Sequence, residues 1–388
     1  MTFFNNKTLN LLNAHYGLRA IGWEMASLFT LAYLYKQGLS LTQTFLVYAF
    51  FLFMRTVTRP FARYLCTKKG IHFTLCAGTC VFACRYLALI LVDGLSWKLI
   101  VPMVISGAAD SLYWVAYHTY FSVIGDEETR GASVGVREAM TTIISIIAPV
   151  CGGALLAIDK TLAFVFPAVL TFLSLIPLSK TPQVPTPKAL TRQEKRAVEK
   201  TGFWIFIGDG LFWQAERVWP VIVFMMLGDN YNNFGLLLGL AAVFRAVGNM
   251  FFGRMIDKGK GLGVCCVGYG IHMVTAATRG IFARTIPVVI ACDFMSAIGM
   301  CFSLTGIMTA VYNTIKHSKH PMDCTFYTEL GWDVGAISAM LCAAALAACG
   351  INIRWIMAAS VAGSVLSLSL LYGYYKARGK VKNADKAA

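Results

Sequence analysis

Residues 245–261 read RAVGNMFFGRMIDKGKG. An apolar run carrying Arg245 gives way to the turn Gly253-Arg254-Met255-Ile256-Asp257-Lys258-Gly259-Lys260-Gly261, and a new apolar run follows almost at once. Such a turn is too polar to enter hydrocarbon, so it ties two spanning helices together on one side of a bilayer. Half the chain earlier, Arg55 leads into a similar basic stretch, RPFARYLCTKKG at 59–70. A turn that returns in this way points to two related bundles.

The composition agrees with that reading. Of 388 residues, 57% are hydrophobic and 14% charged, well outside the range of soluble domains. A bilayer core of about 30 Å needs roughly 20 apolar residues per helix. Twelve such runs are expected, at 18–35, 41–57, 72–92, 99–121, 133–158, 161–178, 203–227, 234–252, 263–282, 286–313, 324–349 and 353–375. The expected fold is an all-α membrane protein of twelve transmembrane helices in two pseudo-symmetric six-helix bundles. Residues 1–180 form the first bundle and residues 203–388 the second, with a basic tail. The Pro-rich, basic segment 181–202 is the cytoplasmic linker between them, suited to an anionic leaflet. Residues 1–17 are polar and interrupted, so no cleavable signal peptide is expected.

The net charge of +15 raises the question of nucleic acid, but its placement answers it. With both termini cytoplasmic, the inward segments hold 22 Lys and Arg, and the outward loops hold five: Lys36, Lys98, Lys160, Arg284 and Arg354. This is the positive-inside bias of a multispanning protein, here in a cell inner membrane. Most of the twelve cysteines fall inside spans. Cys76, Cys80 and Cys84 share a helix face, yet no His or carboxylate joins them to make a soft-metal site. No cofactor or metal is expected. DKGKGLG fails the phosphate-loop spacing, and the six histidines form no recognisable catalytic set with acids, so an enzyme is not expected.

The turn motif Gly253, Arg254, Asp257, Lys258 resembles the loop motif of the major facilitator superfamily, in which a Gly is followed four residues on by an Asp among basic residues and glycines. The first copy departs from it, with Arg63 near where the Asp falls. Ala148-Pro149-Val150-Cys151-Gly152-Gly153 resembles the Pro-Gly-Gly end of a fifth-helix motif of antiporters, without its upstream glycines, and implies export. The resemblance implies a permease: a secondary transporter, acting as a monomer, that carries a small-molecule substrate through the lipid bilayer by alternating access. Internal echoes accord with a repeat. Trp23-Glu24 answers Trp213-Gln214, Arg55 answers Arg245, Tyr117-His118-Thr119 answers Tyr312-Asn313-Thr314, and Arg137-Glu138 answers Thr328-Glu329. Substrate sites in such proteins lie near the midplane between repeats.

Ionisable groups at membrane depth are costly, so they face cavities or partners. This chain holds Arg19, Glu24, Asp110, Arg137, Glu138, Asp209, Glu216, Arg217, Asp293, Glu329 and Asp333 within its spans. The family's helix neighbours suggest two pairs closing the cytoplasmic side, Arg55 with Glu329 and Arg245 with Glu138. The alternatives are static ion pairs, each neutralising one residue of each half, and no pairing. Nearer the midplane, Glu24, Asp110, Glu216 and Arg217 are the candidates for substrate or proton coupling, with protons as the driving partner. For Asp110 the structural alternative is a partner such as Arg85. His118 and His272 read as hydrogen-bonded structural residues. Trp23, Trp114, Trp213 and Trp219 are candidates to line a cavity, and Gly131/Gly135 and Gly235/Gly239 to pack helices closely. A transporter-like sensor or assembly factor is the second class, and a membrane-embedded enzyme the third.

Overall fold

The computed structural model describes residues 6–125, 130–185, 193–194, 198, 200–256 and 261–387, with side chains except at 28, 130–132, 134–135, 138, 244–256, 305 and 378–387. Its described residues form helices and no strands. They are α1 (Lys7–Ala26), α2 (Thr30–Lys36), α3 (Leu41–Lys69), α4 (Ile71–Leu89), α5 (Ile100–Ile124), α6 (Arg130–Ile158), α7 (Lys160–Leu173), α8 (Leu175–Ser179), α9 (Thr201–Met226), α10 (Tyr231–Ile256), α11 (Gly261–Ile281), α12 (Ile286–His317), α13 (Pro321–Ala348) and α14 (Met357–Ala387). Nine helices among the described residues are long and apolar enough to cross a membrane.

Local chemistry sets the breaks. Asn6 starts α1, its side chain accepting from the Leu9 amide at 3.0 Å, so this helix begins eleven residues before the expected span at 18–35. Ser40 and Gln43 form a capping box at the start of α3, each side chain bonded to the other's backbone amide. α3 was expected to end near 57 but continues through Pro60 to Lys69, because Arg59 is fully buried rather than in a polar turn. Gly70, at φ +95°, then turns the chain directly into α4, a conformation open to glycine at little cost. α7 and α8 are separated at Ser174: Pro177 has no amide for the Leu173 carbonyl, which ends the regular ladder there.

The helix packing repeats. α1 packs on α6 and α7, α3 on α5, and α4 on α5 and α7. α9 likewise packs on α13 and α14, α10 on α12, and α11 on α12 and α14. Joining the two sets are α3 against α13 and α6 against α10.

Glycines let several of these helices meet backbone to backbone. On α13, an added Cβ at Gly331 or Gly335 would overlap the carbonyl oxygens of Phe203 and Ile207 of α9. On α10, Gly235 and Gly239 sit against the carbonyls of Pro149 and Ile146 of α6, at 2.7 and 2.8 Å from where a Cβ would lie. Because backbone cannot yield as a flexible side chain can, Gly335→Ala should destabilise the protein by about 1–3 kcal/mol. Gly263 on α11 has nothing within 4 Å, so Gly263→Ala should raise stability by up to about 1 kcal/mol through helix propensity. Thermal unfolding of both variants in detergent reads the opposite signs; equal shifts would refute the contact explanation.

Candidate functional site

α3 carries Arg55, Arg59 and Arg63 four residues apart, which places them on one face. α13 carries Asp323, Glu329 and Asp333, and the two helices run antiparallel, so the charges mesh in order. Arg55 Nε lies 2.6 Å from Asp333 Oδ1, and its Nη2 lies 3.3 Å from Glu329 Oε2. Arg59 donates from Nε to Asp333 Oδ2 at 2.8 Å and reaches Glu329 Oε2 at 3.3 Å. Arg63 pairs with Asp323. Arg59 and Asp333 are fully buried, while the Arg63 side chain keeps 22% exposure.

Two further groups join this zipper. Arg85 of α4 donates to Asp110 Oδ1 at 3.0 Å and to Ser27 Oγ at 2.9 Å, and Asp110 in turn stands 3.8 Å from Arg55. His118 of α5 lies 3.4 Å from Glu329 Oε1, with its Nδ1 2.7 Å from the Tyr312 hydroxyl of α12. Arg137 of α6 donates to that same hydroxyl at 2.9 Å. Charged groups from five helices thus gather along one seam of the interior.

A second network lies in the other half of the chain. Arg279 of α11 bonds both Glu216 of α9 and, at 2.7 Å, Asp293 of α12. Asp293 also accepts from Trp219 Nε1 at 2.9 Å, and Glu216 from Ser360 Oγ at 2.8 Å. Two carboxylates on one guanidinium leave the cluster one negative charge in excess.

Both networks border one cavity of about 460 Å³, with Glu24, Asp110, Glu216, Arg217 and Trp213 among its lining. Trp23, Trp114 and Trp219 line it too, as does Pro149. Glu24 and Arg217 are thus brought to the same space as Glu216, although Glu216 pairs with Arg279 and not with its neighbour in sequence. His272 lies apart, 2.9 Å from Ser303 Oγ. The side chains of Glu138, Arg245, Gly253 and Arg254 lie outside the described residues, as do Asp257 and Lys258 altogether, so that pair and the loop motif have no geometry here.

Reading by depth alone missed Arg59, Arg63, Asp323 and Arg279. The spacing 55, 59, 63 was a usable signal, hidden by assigning residues after 57 to a turn. Arg279 carried no such signal, because its partners are 63 and 14 residues away.

A family model described as Major Facilitator Superfamily matches residues 15–229. No curated protein sequence matches the chain. Among solved structures, that of the human organic anion transporter MFSD10 (TETRAN) is similar at TM-score 0.72 and 11% identity, over 96% of this chain and 99% of that one; at that identity the likeness is one of fold.

The buried pairs make a graded prediction. Asp333→Asn leaves two buried guanidiniums short of a charge, at a cost on the order of 3–5 kcal/mol. Arg63→Gln should cost about 1 kcal/mol, since Asp323 sits in the first turn of α13 and keeps the helix N-terminus as a partner. Denaturation of the purified variants checks the order, and an Arg63 change as costly as the Asp333 change would contradict it.

Proposed function

The chain belongs to the major facilitator superfamily, and from that premise we propose that this membrane transporter is a secondary active carrier working by alternating access. Its cargo is a small or amphipathic solute bound in the 460 Å³ cavity, and its drive is a proton gradient. Twelve spans form two six-helix halves, 1–180 and 203–388, joined by the linker 181–202, and the halves rock about the cavity. The repeated helix pairing supports this division. In this reading the protein is a monomer in a cell inner membrane, with both termini cytoplasmic, and it exports its solute.

The observation that carries the proposal is the buried α3–α13 zipper, two of whose members, Arg55 and Glu329, line the cavity. A buried ion pair gains Coulomb attraction but loses hydration, so its net worth is small. Such pairs can part at modest cost once water reaches them, which suits a gate. Arg55 and Glu329 are its members nearest the cavity, and Arg245 with Glu138 is the counterpart between α10 and α6. Opening exchanges charge-to-charge contact for hydration, residue by residue along α3.

Proton coupling draws on the carboxylates that line the same space. Glu216 and Asp293 share Arg279, so taking up one proton there neutralises the cluster and releases one carboxylate from the guanidinium. Glu24 and Asp110 are the corresponding acids on the other side, Asp110 already tied to Arg85.

Two measurements test this. Proteoliposomes with entrapped pyranine should report proton flux when a panel of organic acids, amines and neutral solutes is added. Flux that no solute alters would count against transport. Cysteines at 63 and 323, in a background with Cys84, Cys151, Cys266, Cys342 and Cys349 (all exposed) changed to serine, should stop solute-driven flux when joined by a bis-thiol reagent. Reductant should restore it. Undiminished flux in the cross-linked protein would rule out this zipper as a gate.

A further inference from the structure

The interior arginines fall into two groups. Arg55, Arg59, Arg85 and Arg279 each lie against a carboxylate, and Arg137 donates to Tyr312. Arg19 and Arg217 differ. Both line the cavity, and among the described residues neither has a carboxylate within ion-pair distance.

Arg19 is 2% exposed, and its Nε and Nη1 have no hydrogen-bond partner. It is instead caged by rings: its guanidinium carbon lies 4.1 Å from the centroid of Tyr113, 4.8 Å from Phe82 and 4.9 Å from Trp114. Arg217 likewise has a buried Nε without a partner. The two guanidiniums flank one indole, that of Trp23, at 5.9 and 5.6 Å. Ring faces stabilise a cation but accept nothing from its N–H edge. A buried cation with two unpartnered N–H groups and a half-buried one with a buried, unpartnered Nε stand beside one indole and lack a negatively charged acceptor.

We propose that the cavity takes an organic anion, its anionic group bound by Arg19 and Arg217 beside Trp23 and its apolar body resting on the surrounding rings. This names the substrate class of the transporter reading and rests on it. Oxygens of a carboxylate or a phosphate supply the acceptors that these edges lack, as charge-assisted bonds. A neutral analogue fits the rings but leaves the donors unmatched, and an amine meets two like charges. Glu216 and Asp293 are occupied by Arg279. Glu24 and Asp209 also line the cavity and set the competing expectation, a preference for cations.

A matched series decides between them. Calorimetric titration of the detergent-purified full chain would compare 2-naphthoate, 2-naphthyl phosphate, 2-naphthamide and 2-naphthylmethylamine, which share a body and differ in charge. At least one anion should bind about ten-fold or more tighter than the amide, and the amine should be weakest. The carboxylate and phosphate arms tell the two anion chemistries apart. Arg19→Gln and Arg217→Gln should each weaken the anion about ten-fold and leave the amide unchanged. If Arg19→Gln does not fold, Arg217→Gln and the charge series on the unaltered protein suffice. Amide or amine binding as tight as the anions, no binding of any probe, or anion binding unchanged in the folded arginine variants would overturn the proposal. Because titration needs no gradient, anion binding without flux in proteoliposomes would overturn the transport reading and leave this one standing. Flux of amines alone would do the reverse.

Discussion

A charge inside a membrane protein must find an opposite charge, a polar wall or water, and that requirement shapes the interior of this chain. Arg59 and Asp333 have no exposure at all, so each is tolerable only in the presence of the other. Their pairing fixes the register of α3 against α13, because a shift of one residue would turn the Arg55, Arg59 and Arg63 face away from its acids. Asp110, Arg85 and His118 then extend the same demand into α4 and α5. Close packing through glycine sets how near the helices come, whereas ionic matching sets which faces meet.

The same accounting explains why the cavity lies where it does. Arginines that find acids make a closed wall. Arg19 and Arg217, held by aromatic rings, leave a polar interior that side chains of the described residues do not fill. At the same cavity, Arg279 holds Glu216 and Asp293 with one positive charge for two negative. Positive charge with open donors near Trp23, and an excess of negative charge at Arg279, give one cavity polar groups of both signs beside aromatic and apolar walls.

Much of the architecture was legible in the residues. Apolar runs, basic turns and the recurrence of Arg55 as Arg245 indicate a doubled membrane bundle, and the repeated helix pairing accords with it. The acids and bases of the site were visible as costly residues at depth. Two of the pairings were legible as well, Arg55 with Glu329 and Arg85 with Asp110; those of Arg59 and Arg279 were not, because burial at depth says that a charge must be met without saying by what. Arg279 and Glu216 are 63 residues apart, and Arg59 and Asp333 are 274 apart; only packing brings them together. The boundary at 57 misled for a related reason. Arg59, Pro60 and Arg63 read as a polar helix stop, yet a helix can carry arginines well past its apolar segment when a neighbouring helix offers acids at matching intervals.

The two long contacts that join the repeats are built from opposite materials. Where α10 crosses α6, Gly235 and Gly239 rest on main-chain carbonyls, so that backbone meets backbone there. Where α3 crosses α13, salt links follow one another along the contact. In the rocking motion proposed above, the glycine edge would serve as the axle and the charged edge as the seam that parts.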